Sequence, residues 1–278
     1  MSPTTPPSTV IRPRRTWLPP TVRELWEYRD LLMRFCARDI TLRYRQTALG
    51  VIWVILVPLL GAGILSFIFG GIANLEAPTD APYYLFAFAG MVVFTAFSQV
   101  VNRSGTVMVS NSGLVSKVYF PRVLLPLSVV MSSLVDVAAA LSLLAVLMIA
   151  NGIVPGFALV TLPLWLIGAA MLALGIGLIA GALMVLYRDI VYIVPVIVQL
   201  TLFASPVAYS VSEVPDETRW VYDLNPLVGL LEGLRWSVLD TPEPSWSLTV
   251  YAASTSAAVL VLGMVVFSRM EQRFADVI

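Results

Sequence analysis

Three arginines lie directly before a long apolar run, and their side chains are well suited to binding an anion. They are Arg38, Arg43 and Arg45, in the stretch ARDITLRYRQTALGVIW of residues 37–53. Guanidinium groups bind carboxylate and phosphate oxygens through paired hydrogen bonds and tolerate partial burial. Basic residues also flank membrane helices simply as cytoplasmic anchors. Asp39 adds another interpretation, because it could hold one of these arginines in a structural ion pair.

Asp136 is the one charged residue well inside an apolar run, residues 123–149. A carboxylate inside a membrane is costly unless it is paired or hydrated, so such residues are candidates for function. Ser132 and Ser133 lie beside it and favour close helix packing with a polar contact. Two interpretations remain open, which are structural pairing of Asp136 and a position in the lining of a channel.

An aromatic stripe follows one face of a predicted helix over residues 81–102. Its members recur at steps of three or four residues around Gly90, and are Tyr83, Phe86, Phe94 and Phe97. Side chains at this spacing share one helix face. The stripe could pack against protein or lipid, or it could offer aromatic faces to sugar rings.

Several classes of catalytic and metal site are absent from the sequence. There is no histidine and one cysteine, Cys36, which excludes metal sites built on clusters of these residues. There is no nucleophile elbow of the Gly-x-Ser-x-Gly type. The one lysine, Lys117, is not part of a Gly-Lys-Ser/Thr phosphate-binding loop. We therefore expect neither an enzyme nor an ATP-binding chain, and any ATP-driven process needs a second chain.

Composition predicts an all-α integral membrane protein. Of 278 residues, 58% are hydrophobic and 12% are charged, and the mean hydropathy is +0.86, whereas soluble domains carry about 25% charged residues. A membrane-spanning helix needs about 20 apolar residues. Six runs qualify, at residues 46–75, 81–102, 123–149, 157–187, 190–210 and 245–268.

The charge distribution orients these six predicted helices. With the N-terminus inside, 15 of the 17 Lys and Arg residues lie on the cytoplasmic side, and only Arg219 and Arg235 lie outside. This asymmetry fits the positive-inside rule, with both termini cytoplasmic. Residues 1–20 are rich in proline and predict a disordered cytoplasmic tail.

The segments that flank the predicted spans carry helix signals of their own. Residues 21–45 predict an amphipathic helix in the membrane interface with a basic connector, and Thr21 and Glu24 have the spacing of a capping box. Residues 111–118 predict a short helix in a cytoplasmic loop. Residues 204–239 predict a pair of re-entrant helices at the outer surface, because the stretch that begins at Asn225-Pro226 gives about 14 residues of amphipathic helix, too few to span.

Six motifs in order resemble the membrane subunit of type-2 ABC exporters, in the branch that exports O-antigen, capsule and teichoic-acid polysaccharides. They cover nearly all of the chain from residue 21. They are RDITLRYRQTALGVIWVILVPLL (38–60), LVSKVYFPRVLLPL (114–127), YRDI (187–190), SPVAYS (205–210), LNPL (224–227) and RMEQRFADVI (269–278). The resemblance implies that residues 46–278 form a six-span transmembrane domain.

The resemblance also implies partners and cargo. Such permeases are expected to form homodimers with a channel at the dimer axis, and to bind two copies of an ATPase subunit that carries ATP and Mg²⁺. The cargo would be a polysaccharide on a polyprenyl diphosphate lipid, moved outward across a bacterial cytoplasmic membrane. No nucleic acid and no cofactor on this chain are expected. The alternative is a type-2 ABC exporter of a lipid or drug, although such relatives more often carry a large outer domain or a fused ATPase.

Roles for individual residues follow from the resemblance. Residues assigned to lipid-diphosphate reception are Arg38, Arg43, Tyr44, Arg45 and Trp53. Residues assigned to ATPase coupling are Glu27, Arg34, Asn111, Leu114, Lys117, Tyr119, Arg122, Tyr187, Arg188 and Asp189. Residues assigned to channel lining are Tyr83, Phe86, Phe94, Phe97 and Asp136. Residues assigned to the outer gate are Ser205, Pro206, Asn225, Pro226, Glu232 and Arg235.

Overall fold

The structure is a computed structural model that describes residues 20–45, 52–118 and 120–277, with the side chains of 272, 273 and 275–277 excepted. Within these ranges it contains helices and no strand, as the composition predicts. Nearly all of the predicted tail of residues 1–20 lies outside the described residues, as do the start of the first predicted span at 46–51 and Tyr119.

Eleven α-helices are present in the described part of the chain. Their bounds are α1 Val22–Glu27, α2 Arg29–Tyr44, α3 Ile52–Leu65, α4 Tyr83–Ser110, α5 Ser112–Val115, α6 Leu124–Ala150, α7 Leu162–Leu186, α8 Ile190–Phe203, α9 Asp216–Asp223, α10 Pro226–Leu239 and α11 Trp246–Val277. A π-helical turn, Ser66–Ile72, continues α3, and 3-10 turns at Phe157–Thr161 and Val211–Glu213 precede α7 and α9.

Five helical segments of the described chain are long and apolar enough to cross a membrane. They are Ile52–Ile72, Tyr83–Ser110, Leu124–Ala150, Phe157–Leu186 and Trp246–Glu271. The fifth predicted span, residues 190–210, is not among them, because its helix α8 ends at Phe203 after 14 residues. At 1.5 Å per residue α8 is about 21 Å long, less than the hydrocarbon thickness of about 30 Å.

Helices α4 and α7 form the centre of the bundle. Helix α4 contacts α3, α6, α7, α8 and α10, and α7 also packs along α11. One buried cluster surrounds the Tyr83 end of α4 and includes α10, and a second surrounds the Ser110 end and includes Phe35, Phe120 and Phe274. These two ends of α4 define the two ends of the bundle.

Small residues let the central helices approach closely. A Cβ atom on Gly177 would lie 2.6 Å from Ser104 Cβ, and one on Gly181 would lie 2.9 Å from the Ser104 carbonyl oxygen, so α7 crosses α4 at these glycines. Gly175 and Gly263 meet in the same way between α7 and α11, where a Cβ on Gly263 would collide with the Gly175 carbonyl. Small residues commonly bring membrane helices together in this way.

The segments that flank the spans differ in part from the predictions. The capping box at Thr21 is present, but the predicted interface helix is broken at Tyr28 into α1 and α2. The predicted helix of residues 111–118 is only one turn, α5, and the Asn111 side chain before it donates back to the Val107 carbonyl at 2.8 Å and does not cap it. The predicted 14-residue helix after Asn225 is confirmed as α10, with Asn225 Oδ1 accepting from the Leu227 N–H at 3.1 Å.

The α7–α11 crossing predicts a large effect of one methyl group. Gly263→Ala should lower the thermal midpoint of the purified protein by several degrees, because overpacking costs about 1–3 kcal/mol. Gly63→Ala is the matched control, since a Cβ atom there meets nothing within 4 Å and alanine favours the helix. Equal midpoints for the two variants, followed by tryptophan fluorescence, would contradict the close crossing.

Candidate functional site

The basic stretch of α2 lies against α4 and α6 through a series of ionic and hydrogen-bonded contacts. This series, here called the ladder, is made from α2 by Arg38, Asp39 and Arg43. Arg103 of α4 forms an ion pair with Asp39 of α2. The Ser132 hydroxyl of α6 donates to the same Asp39 carboxylate at 2.9 Å, and Arg103 reaches Ser132 at 3.4 Å. All three helices therefore meet at one carboxylate.

The next rung of the ladder holds the intramembrane carboxylate Asp136. Arg43 forms an ion pair with Asp136, and the Tyr44 hydroxyl donates to its other oxygen. The Asp136 side chain is only 5% exposed, so the carboxylate depends on these two groups for the interactions that water would otherwise supply. Asp136 follows Leu124 by twelve residues, which places this rung about 18 Å along α6.

The rungs fix how α2 runs. Asp39 and Arg43 are four residues apart on α2, and their partners Ser132 and Asp136 are four residues apart on α6. Residues at this spacing share a helix face, so α2 and α6 run side by side in the same direction. At the base of the ladder Arg38 donates to the Asn111 side chain at 2.8 Å. The ladder therefore links α2 to the residue immediately before α5.

The five residues predicted to receive a diphosphate are only partly free. Arg43 is bound to Asp136, and Arg38 is bound to Asn111. Each of these two arginines nevertheless keeps one buried nitrogen, Arg43 Nη2 and Arg38 Nε, that makes no hydrogen bond with the described chain. Tyr44 belongs to the Asp136 rung. Arg45 and Trp53 are exposed on either side of residues 46–51, and their role in binding phosphate stays a prediction.

The structure pairs Asp136 and also places it beside a cavity. A space of about 10 Å³ is lined by Asp136 and, among others, Thr95 and Gln99 of α4. That volume holds about one water molecule, which these polar groups could bind. The pairing interpretation accounts for the burial of Asp136, whereas its channel-lining role stays a prediction.

The predicted aromatic stripe lies mostly inside the protein. Phe86, Phe94 and Phe97 are 1%, 6% and 4% exposed, and Phe94 and Phe97 contact each other at 6.3 Å between ring centroids. Tyr83 is half-buried and donates its hydroxyl to the Ala208 carbonyl. The packing interpretation accounts for these contacts, and a sugar-binding role for the stripe stays a prediction.

The residues predicted to couple to an ATPase divide into exposed and internal groups. Glu27, Arg34, Lys117, Tyr187, Arg188 and Asp189 are exposed. Asn111 and Leu114 are half-buried. Arg122 is bound within the protein, since it forms an ion pair with Glu271 at 3.9 Å and lies over the Phe274 ring. Arg122 therefore joins the start of α6 to the end of α11.

The predicted gate residues gather at the Tyr83 end of α4. Asn225 donates to Ser205 Oγ at 2.8 Å and to the Ala204 carbonyl at 3.2 Å. Glu232 lies 3.6 Å from Arg235, whose side chain is fully buried. Pro206 lies in a turn after α8, and Pro226 begins α10.

The predicted site residues do not include Arg103, which pairs with Asp39. Ser132 was expected to make a polar contact between helices, but its hydrogen bond to Asp39 was not predicted. The expectation that Asp39 could pair with one of the neighbouring arginines is wrong, because Asp39 pairs with Arg103, 64 residues away. One signal was available: Arg103 lies within the apolar helix α4, where an arginine needs a partner. Ser132 precedes Asp136 by one helix turn, and this spacing places both on one face.

Comparison with known proteins gives the chain a family. Residues 31–239, three quarters of its length, match the ABC-2 type transporter family. The O-antigen export system permease protein RfbA of Myxococcus xanthus is 29% identical over 257 residues, which cover 92% of this chain and 98% of the relative. RfbA of Klebsiella pneumoniae is 26% identical over 253 residues, covering 90% and 95%. The polysialic acid transport protein KpsM of Escherichia coli is 26% identical over 241 residues, covering 84% and 91%. The chain therefore belongs to the ABC-2 type transporter family.

Proposed function

We propose that this chain is the permease subunit of an ATP-driven exporter that moves a polyprenyl-diphosphate-linked polysaccharide out across the bacterial cytoplasmic membrane. The observation that carries the proposal is the similarity to O-antigen export permeases over 98% of a relative's length. A polysialic acid transporter among the relatives extends the same cargo class. ATP and Mg²⁺ are then bound by a partner ATPase, in keeping with the missing phosphate-binding loop.

Six membrane crossings with both termini cytoplasmic fit this function. Helix α8 follows directly after α7, whose Met184 packs on Gly105 near the Ser110 end of α4. Beyond α8, Ala208 meets Tyr83 at the opposite end. Residues 190–208 thus run from one end of the bundle to the other, which supports a sixth crossing made by a short helix and an irregular segment. Irregular backbone at membrane depth requires cover from protein, and Arg235 and Asn225 provide such cover.

A second copy of the chain would complete the channel. Helix α3 exposes a row of large apolar side chains, and so does α8. They are Ile52, Trp53, Val57, Leu60 and Ile64 on α3 with Phe67 in the π-helical turn that continues it, and Tyr192, Val196, Ile197, Leu200 and Phe203 on α8. Lipid or a second copy can cover such faces. We assign part of them to a homodimer, and the remainder to membrane lipid.

Two ATPase copies would bind at the Ser110 end. Helix α5 and the exposed residues Tyr187, Arg188 and Asp189 lie at this end, and so does α1, whose neighbour Tyr28 packs on the second buried cluster. A displacement of α5 would reach α2 through the Asn111–Arg38 hydrogen bond. The ladder would then carry it to α4 and α6, because its rungs join α2 to both helices.

We assign diphosphate binding to two groups. One is the exposed side chain of Arg45, and the other is Arg43 Nη2, which makes no hydrogen bond with the described chain. The cargo would approach at the end of α2, since both arginines lie just before the first span. Arg103 and Asp39 hold α2 in place for this task and do not themselves bind cargo. Recognition of the sugar is assigned to no residue of this chain.

Coupling can be tested with one polar substitution in α5. Leu114→Asp should abolish surface polysaccharide while the complex still assembles and hydrolyses ATP, because the variant disturbs the part-buried contact of α5 with the bundle. Val154→Asp is the matched control, since Val154 is 85% exposed in the loop before α7. The assays are polysaccharide on intact cells and ATP turnover of the purified complex. Failure of any ATPase to co-purify with the wild-type chain, or normal export by Leu114→Asp, would refute the coupling role.

The ladder predicts a compensating pair of substitutions. Arg43→Gln and Asp136→Asn should each lower the yield of folded protein, because losing one partner of a buried ion pair costs about 3–5 kcal/mol. The double variant should recover most of that loss, since it leaves no unpaired charge. Purified yield and thermal midpoint measure the effect. A double variant as unstable as the sum of the singles would show that the pair is not the stabilising contact.

Arg45 separates phosphate binding from folding. Arg45→Gln should reduce export at least about fivefold and leave yield and thermal midpoint unchanged, because its side chain is exposed at the end of α2. Arg34→Gln, also exposed on α2, controls for the loss of any surface charge on this helix. Normal export by Arg45→Gln would overturn its assignment to the diphosphate.

A further inference from the structure

Arg235 is a fully buried arginine whose guanidinium group is bound by main-chain carbonyl groups. Its Nη1 donates to the Pro206 carbonyl at 2.6 Å, its Nη2 to the Val207 carbonyl at 2.6 Å, and its Nε to the Phe86 carbonyl at 3.3 Å. The guanidinium carbon also lies 3.7 Å from the centre of the Phe86 ring. One side chain therefore joins α10, the start of α4 and the turn after α8.

The chemistry of this site requires an arginine. A buried cation needs dipoles or π-electrons in place of water, and here three carbonyl groups and one ring supply them. A planar fork of donors reaches several acceptors at once, which a lysine ammonium on its flexible stem does not reproduce. Gly90 on α4 makes room, because a Cβ atom there would collide with Arg235 Nη2 and lie 2.6 Å from the Val207 oxygen.

The two helices between α8 and α11 differ sharply in how firmly they are packed. Helix α10 has 11 of its 14 residues buried, and Gly233 and Gly229 lie directly against α7 and α11. Helix α9 has no buried residue, and Trp220 at its centre is 65% exposed. Segments with few buried contacts open at the lowest free energy.

Hydrogen bonds hold the base of the segment that contains α9 against the end of α8. Asn225 bonds to Ala204 and Ser205 at its base. Beyond that point residues 215–224, here called the flap, are held by hydroxyl groups, since Tyr209 donates to the Tyr222 hydroxyl at 3.0 Å and Tyr251 to the Leu224 carbonyl at 2.8 Å. Such hydrogen bonds exchange with water at little cost. The flap can therefore move while its base stays closed.

We propose that Arg235 is the positioning residue of the outer gate, and that within residues 204–239 the flap alone moves during transport. Arg235 holds α10 and residues 204–208 against α4 as one rigid unit, so the gate is not the whole predicted re-entrant pair of residues 204–239. Glu232 of α10 lies 3.6 Å from Arg235 and adds a negative charge beside the buried guanidinium, within the rigid unit. The inference rests on the proposed function for what passes the gate, but its geometry does not depend on the cargo.

Hydrogen–deuterium exchange of the full-length permease in lipid nanodiscs tests the anchoring. In the wild type, amides of the flap should exchange at least about a hundredfold faster than those of α10 and residues 204–208. In Arg235→Lys, protection of α10 and residues 204–208 should fall about tenfold or more, because a single ammonium group cannot reach all three carbonyl groups in place of the guanidinium fork. Arg219→Lys, the same change on the exposed α9, should leave α10 protected. Unchanged protection in Arg235→Lys would overturn the anchoring.

The same measurement on the complex with its ATPase tests the gating. Binding of a non-hydrolysable ATP analogue should change exchange in the flap of the wild type and leave α10 unchanged, whereas in Arg235→Lys the nucleotide-dependent change should spread into α10. A residue that only stabilised the fold would not make α10 respond to nucleotide. A nucleotide-dependent change in α10 of the wild type would refute the proposal, whatever the cargo is.

Gly90→Ala provides a second variant if Arg235→Lys does not fold. Its added methyl group displaces the guanidinium while leaving the arginine in place, so it should weaken protection at α10 and residues 204–208 in the same direction. Gly63→Ala, which meets no neighbouring atom, should not. Equal protection in the two glycine variants would overturn the proposal. A missing ATPase partner would instead refute the proposed function, and the measurement on the permease alone would still decide the anchoring.

Discussion

Every charge within the helical bundle needs a partner from the protein, and this constraint explains how the non-spanning helices are held. Lipid offers no hydrogen bonds, so a carboxylate or guanidinium at depth either finds a counter-group or becomes prohibitively costly. Asp136 finds Arg43 and Tyr44, and Arg103 finds Asp39. These pairs fasten α2 to the bundle. Arg235, with its carbonyl groups, fastens α10 to α4 at the opposite end.

Small residues at the centre of the bundle complement these polar contacts. Close approach at Gly177 and at Gly263 leaves no room between α7 and its neighbours, so α4, α7 and α11 form a rigid frame. The elements proposed to move relative to that frame, α5 and α9, lie outside it. Helix α5 has a single turn, and α9 has no buried residue. The fold thus separates a closely packed core from weakly packed segments at both ends.

The sequence predicted the spanning helices well because hydropathy is a local property. Four of the apolar runs, including 123–149 and 157–187, correspond to helices within a few residues at most ends, and the start of α10 followed from Asn225-Pro226. The predicted length of the helix over residues 190–210 was wrong, because an apolar run does not show that the helix ends at Phe203. The break at Tyr28 was also missed, because no glycine or proline marks it in the sequence.

The candidate site was less predictable because its contacts are long-range. The sequence identified Asp136 and the α2 arginines, but the pairing of Asp39 with Arg103 joins residues 64 positions apart. The aromatic stripe shared one helix face as expected, yet only the neighbouring helices show that this face is internal. Arg235 was predicted as a gate residue, but the amino-acid sequence alone does not show which three carbonyl groups its side chain binds.

Transport by the reconstituted complex tests the central claim most directly. Purified permease and ATPase would be placed in proteoliposomes that carry a polyprenyl-diphosphate-linked glycan, and glycan on the opposite face would be measured with an impermeant lectin. Glycan should cross only when ATP and both subunits are present, and Leu114→Asp should stop this transport without stopping ATP hydrolysis. ATP hydrolysis by the wild-type complex that moves no glycan, or that moves an unglycosylated lipid instead, would contradict the central claim.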